Sequence, residues 1–363
     1  MRVVLLVTDL ERGGTPLRLA RLARGLKQLG VEVHVGCLAS VGPVGAELES
    51  EAVPTFACNA RGPRDLLALR RLASHLGRIQ PNLVHATLTH ANVAARLVGD
   101  WLRIPVVTST ATIEVERRWH LVVERCTAGL DRGHIVNSRA LAEHVATSFA
   151  VPRERIYVVP PSIDPVPARL DRSRAREQFG LPTDAFVVLW AGRFDPVKRL
   201  DIAIRCAELL AREGCHLLLA GDGPARGQIE MLVRASPASP SIHMLGWQSD
   251  LAPALSAADA FLFPSLTEGM PNAVLQAMAF GLPVVGSRIA ALRELAGDEE
   301  RILLVAEGDE HEFAAGLLRL YEDPELRREL GHRAADWARP RFDLRRAVQA
   351  TRAVYDYVLG RRG

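Results

Sequence analysis

Short runs of β-branched and aliphatic residues alternate along this chain with longer stretches whose apolar positions recur every three to four residues. The first run covers residues 3–7. A glycine-containing turn at 11–16 follows, and then a segment to about Gly30 that sets Leu19, Leu22, Ala23 and Leu26 on one side of a helix. Thr15 is suited to capping that helix and Pro16 to its first position. Further strand-like runs fall at 31–35, 82–85, 104–108 and 134–137, separated by stretches long enough for helical crossovers. Such alternation predicts a parallel sheet covered on both faces.

Residues 160–173 hold four prolines and fit neither a helix nor an interior strand. Beyond them the pattern restarts, with strands predicted at 186–190, 216–220, 241–245, 260–263, 283–286 and 302–305, and helices at 199–213, 272–280 and 310–320. The expectation is an α/β chain of two Rossmann-like domains, 1–165 and 172–342, facing across a ligand cleft. A last helical segment, 343–363, is expected to pack back toward the first domain and to end in a basic tail, Arg361-Arg362-Gly363.

Composition narrows the classes. At 363 residues, 48% apolar and 24% charged, the chain is neither disordered nor fibrous. Its cysteines, 37, 58, 126, 206 and 215, form no C-x-x-C pair, which reads as a reducing compartment without a thiolate zinc site. The apolar run at 3–7 is too short for a signal peptide or a membrane span, so the expected location is the cytoplasm. Charge is uneven: residues 1–170 carry 21 basic against 15 acidic side chains, residues 171–363 carry 24 against 27. Arg61, Arg64, Arg70, Arg71 and Arg78 lie among Leu66, Leu67, Leu69, Leu72 and Leu76, a pattern shared by a helix resting on an anionic bilayer and by an ordinary solvated helix. Aromatic residues make up only 5% and none interleaves with that run, which argues against nucleic-acid binding.

No Walker A loop occurs, and no G-x-G-x-x-G joins the first strand to its helix. The glycine turns that do occur, Gly13-Gly14 and Gly221-Asp222-Gly223-Pro224, end predicted strands and precede helices, where backbone N–H groups and a helix dipole favour phosphate. Either turn can equally be structural. Around them, Arg193 and Lys198 follow the strand at 186–190, offering a forked guanidinium and a mobile ammonium to a diphosphate. Glu268, between the strand at 260–263 and the helix at 272–280, reads as an exposed carboxylate able to accept from sugar hydroxyls, or as an acidic cap of that helix.

Four segments in order, the Gly-Gly loop with its helix to Gly30, "GRFDPVKRLD", "GDGP" and "FPSLTEGMPNAVLQAMAFGLPVV", closely resemble the retaining GT-B glycosyltransferases of group 1, or family 4. The resemblance implies that Arg193 and Lys198 hold the donor diphosphate and stabilise its leaving charge, with Glu268 on the transferred sugar. It implies further donor contacts from Gly13, Gly14, Gly221, Gly223, Gly269, Met270, Pro271, Asn272 and Gln276, with a nucleoside diphosphate sugar as co-substrate and no metal. Gln276 departs from the family's usual glutamate, eight positions after Glu268, and gives up the charge-assisted part of a ribose contact. The histidine that many members carry after the strand at 104–108 is absent. Segment 114–120 is like that of members acting in polysaccharide assembly, while His90 and Thr110 are candidates for contact with acceptor or sugar.

The expected activity is retaining, metal-independent transfer from a UDP- or GDP-sugar to a glycan or polyprenyl-linked acceptor. Weak contact with the anionic inner face of the plasma membrane would accompany it. A non-catalytic scaffold of a glycan-assembly complex and a nucleotide-sugar epimerase are the alternatives.

Overall fold

The computed structural model describes residues 1–62, 65–112, 118–163, 169–298 and 301–360. Arg64, Glu114, Glu116, Arg117, Pro165, Pro167 and the Arg361-Arg362-Gly363 tail lie outside them. The chain divides into two compact units, Met1–Ser162 with Leu344–Gly363, and Ile163–Asp343.

The first unit is built on seven strands, β1 (Arg2–Val7), β2 (Glu32–Cys37), β3 (Thr55–Ala57), β4 (Leu83–Thr87), β5 (Val106–Thr110), β6 (Gly133–Val136) and β7 (Ile156–Val158). All pair in parallel in the order β3-β2-β1-β4-β5-β6-β7. Val3, Leu5 and Val7 face one side of the sheet, packed with Leu19, Ala23 and Leu26 of helix Gly14–Gln28 and with Val348 and Tyr355 of helix Leu344–Val358. Val4 and Leu6 face the other, against Leu72, Leu76, Ala91 and Ala95. Burial on both faces is what parallel pairing demands, because crossover helices cover each side.

The second unit has six parallel strands, β8 (Phe186–Ala191), β9 (Cys215–Ala220), β10 (Ile242–Gly246), β11 (Ala260–Phe263), β12 (Val284–Ser287) and β13 (Leu303–Val305), ordered β10-β9-β8-β11-β12-β13. Every residue of β8 is buried, including Trp190. Its alternate side chains enter two separate cores, Val187 and Leu189 in one, Phe186, Val188 and Trp190 in the other.

Several boundaries differ from the sequence expectation. The first helix starts at Gly14 with Gly13 as its cap residue, so Thr15 caps nothing and Pro16 lies inside the first turn, where amides lack intrahelical acceptors and a missing N–H costs little. The fifth strand begins at Val106, since Pro105 has no N–H to give the ladder. The helix predicted from 199 begins at Leu200 because Arg199 is left-handed at φ 52°, and it breaks before Ala211–Glu213. The three-residue strands β3 and β7 are too short for any periodicity to reveal. Among the described residues no helix is long and apolar enough to cross a membrane. Four cysteines are buried and only Cys126 is exposed; burial pushes the Cys58 thiol up to about 11.

Helix Leu344–Val358 belongs to the first unit and reaches it through close approach at Gly25. A methyl group added there would lie 2.4 Å from Val348 Cγ2. Alanine normally stabilises a helix interior over glycine by about 1 kcal/mol. Here Gly25→Ala should instead destabilise, by about 1–3 kcal/mol in urea unfolding. The sign should revert to stabilising when the same change is made in a Val348→Ala background.

Candidate functional site

In the second unit the strand order reverses between β8 and β11: successive strands run outward from β8 on one side and from β11 on the other. Loops leaving the carboxyl ends of two such neighbours diverge and leave a crevice, the usual ligand position in an open α/β sheet. The β8 loop carries Arg193 and Lys198, and the β11 loop carries Glu268.

Backbone contacts join these two loops. Leu266 N donates to Val197 O at 2.9 Å, and Ser265 Oγ donates to the same carbonyl at 3.3 Å. This brings Lys198 Nζ onto Glu268 Oε1 as an ion pair, with Nζ 5.7 Å from the Phe263 ring centre. The Glu268 side chain is only 9% exposed and that of Lys198 19%. Glu268 is therefore neither the exposed carboxylate nor the helix cap that the sequence suggested. The residue capping helix Asn272–Phe280 is Pro271, which offers no side-chain acceptor to the first-turn amides. Arg193 is exposed and has no hydrogen-bond or ion-pair partner among the described residues. Asn272 Oδ1 is buried and unpartnered. Gln276 follows one turn later on the same helix face, with Gly269 and Met270 in the loop before it. An unpaired guanidinium and an uncapped helix N-terminus at one sheet edge suit an anion.

The two glycine pairs have different physical reasons. A Cβ on Gly221 would lie 1.8 Å from Gly192 O, and one on Gly223 would lie 2.4 Å from Phe194 O. Their amides are also engaged, Gly221 N with Gly246 O at 2.8 Å and Gly223 N with Asp222 Oδ1 at 2.7 Å. These glycines let the β9 loop lie directly on the β8 loop. By contrast, a Cβ on Gly13 would meet only Pro16 Cδ at 3.7 Å, and one on Gly14 would meet nothing within 4 Å. Gly13 and Gly14 open an uncapped helix N-terminus with free space around it.

In the first unit, Thr110 at the end of β5 bonds His134 Nε2 at 2.9 Å. Behind His134 lies a buried cluster. Thr108 donates to Asp131, His134 Nδ1 lies 2.8 Å from Thr108 Oγ1, and Arg96 bridges Asp131 (2.9 Å) and Glu124. Burial alone would raise the Asp131 carboxyl, but hydrogen bonding to His134 and the Arg96 charge bring it below its usual range. None of this cluster except Thr110 is visible as a site in the sequence. His90 sits in an aromatic group, with ring centres 5.5 Å from Trp119 and 5.2 Å from His120. His85 lies within β4, its Nδ1 2.6 Å from Tyr355 Oη.

Two Rossmann-like parallel sheets in one chain define the GT-B class of architecture. Residues 12–166 match the model described as Glycosyltransferase Family 4, and residues 185–323 that described as Glycosyl transferases group 1. The chain belongs to this family of glycosyltransferases. It is 33% identical to the lipopolysaccharide core biosynthesis glycosyltransferase LpsD of Rhizobium meliloti, over 52% of this chain and 54% of that protein. It is 31% identical to a D-inositol 3-phosphate glycosyltransferase of Thermomonospora curvata, over 71% of this chain and 62% of that one. The chain thus spans less than two thirds of the length of either relative. Its fold is similar to that of Anabaena HepE, solved in complex with UDP, with TM-score 0.86 and 20% identity over 98% of this chain and 100% of that one.

The contrast between the glycines is measurable. Gly221→Ala should cost at least about 3 kcal/mol in urea unfolding, since backbone must move to admit the methyl. Gly14→Ala should leave stability within about 1 kcal/mol.

Proposed function

We propose that this chain transfers a sugar from a nucleoside diphosphate sugar to a glycan or lipid-linked acceptor in polysaccharide or glycoconjugate biosynthesis, with retention and without a metal. The observation that carries this reading is Arg193, exposed and unpaired, at the same sheet edge as the Lys198–Glu268 pair and the uncapped helix Asn272–Phe280. The family membership and the UDP complex of HepE support the donor class; the names of the curated relatives support the pathway class.

On this reading the diphosphate lies against Arg193 and the first-turn amides of helix Asn272–Phe280, with Gly269, Met270 and Pro271 shaping the approach. Negative charge gathers on the leaving diphosphate as the glycosidic bond breaks, and fixed cations and dipoles lower that barrier. Lys198 serves the same charge while holding Glu268 in place toward the sugar hydroxyls. Gln276 takes a nucleotide contact through its amide. Retention follows from attack on the face that the diphosphate leaves, the departing phosphate accepting the proton of the acceptor hydroxyl, so no enzymic nucleophile is required.

A panel of UDP- and GDP-sugars with candidate acceptors, followed by nucleotide release and product mass with EDTA present, tests the reading. Activity appearing only with added divalent metal would remove the metal-free part. Donor interconversion without an acceptor would indicate an epimerase instead, and binding without turnover a scaffold. Arg193→Ala and Lys198→Ala should each lower kcat/KM by roughly 10²-fold or more. Their stabilities should differ. Arg193→Ala should be nearly neutral, whereas Lys198→Ala leaves a largely buried carboxylate alone and should cost about 1–3 kcal/mol.

Membrane contact by the first unit is part of the same reading. Helix Leu66–Ile79 exposes Leu66 (74%), Leu67 (57%) and Arg70. Arg71 is not available to lipid in the same way, since it donates to Asn59 O at 2.9 Å and to Cys58 O. Co-sedimentation should therefore increase with anionic lipid and fall between about 50 and about 500 mM NaCl. It should weaken in Leu67→Gln/Arg70→Gln more than in Arg71→Gln; equal recovery with neutral vesicles would remove the membrane contact.

A further inference from the structure

The first unit contains a cavity of about 90 Å³, lined by the ends of β4, β5 and β6 and by helices Gly14–Gln28 and Leu344–Val358. That is room for several waters or for a charged group with part of a ring. Its wall mixes aliphatic side chains with hydroxyl groups, and three of its polar residues, Arg18, His85 and Asn137, present a polar atom without a partner among the described residues.

Two of them are donors. Arg18 lines the cavity and has no hydrogen-bond or ion-pair partner among the described residues. His85, 4% exposed, has its Nδ1 on Tyr355 Oη and its Nε2 buried without a partner. A phenol is the stronger donor of that pair, so the Tyr355 hydroxyl proton goes to Nδ1 and the imidazole hydrogen sits on Nε2. Burial, then the nearby Arg18 and His134 charges, hold the His85 pKa at about 3, which keeps the ring neutral.

A third, Asn137, is an acceptor. Asn137 is 5% exposed; its Nδ2 donates to Ala111 O at 2.9 Å, while Oδ1 is buried and unpartnered. Thr110 has its hydroxyl committed. It bonds His134 Nε2 at 2.9 Å.

A ligand matching this wall needs an oxyanion for Arg18 and His85 and a hydroxyl donor for Asn137. We propose that the cavity binds a polyhydroxy compound bearing a phosphate or carboxylate, and that this is the acceptor end of the transfer reaction. Its role as acceptor rests on the glycosyltransferase reading above; the binding preference does not.

Calorimetric titration of the full chain with glucose 6-phosphate, glucuronate and glucose, each with and without saturating UDP, separates these points. At least one charged sugar should bind about tenfold or more tighter than glucose, whether or not UDP is present, and the stronger of the two identifies the anion. Arg18→Gln should abolish that preference, Arg18→Lys should keep part of it, and Asn137→Ala should weaken all binding sugars alike. Equal affinities, a preference that survives Arg18→Gln, or displacement of the charged sugar by UDP would overturn the proposal. Charged-sugar binding without any turnover of UDP- or GDP-sugars would instead leave the cavity standing and remove its role as an acceptor site.

Discussion

Parallel pairing is the constraint on which the rest of this molecule depends. Because each strand returns to the same edge before it pairs, all its outgoing loops emerge on one side, and only where the strand order reverses do two of them part. In the second unit that reversal lies between β8 and β11, so Arg193 and Lys198 come from one loop and Glu268 from the other. The bonds from Leu266 and Ser265 to Val197 O then set the two loops in register, and the Lys198–Glu268 pair follows from that register. Here backbone geometry sets the position of the charges. A pair this buried would gain little net stability from its own attraction, and it is held because the loops around it are already joined.

The first unit handles polarity differently. Arg96, Glu124, Asp131, Thr108 and His134 are buried together and bonded to one another, and Thr110 carries one end of that network to a cavity. Such a network stabilises only if its members stay paired, because removal of one leaves a charge without compensation in a low-dielectric interior. It ties the Thr110 hydroxyl to His134 at the cavity wall.

Sequence pattern carried the architecture well: the alternation of buried runs with amphipathic stretches revealed both parallel sheets, and the ordered motifs revealed the family. It was poorer at burial. Glu268 stands in a stretch of glycine, proline and polar residues that reads as exposed, and its pairing with Lys198 depends on a loop-to-loop bond across some seventy residues. Gly221 and Gly223 read as phosphate-binding glycines, although each also lies against the β8 loop, a fact that only the three-dimensional contact exposes. Arg71 read as one of five equivalent surface cations and is committed to two carbonyls. Arg18 went unremarked altogether, because a single arginine in an amphipathic helix carries no signal until His85 and Asn137 are seen beside the same cavity. In each case the missing information was long-range, and local periodicity does not contain it.

A crystal structure of the whole chain with UDP or GDP bound tests the central claim most directly. The account predicts the diphosphate within hydrogen-bonding distance of the Arg193 guanidinium and of the first-turn amides of helix Asn272–Phe280. A nucleotide bound elsewhere, with Arg193 still in solvent, would contradict it.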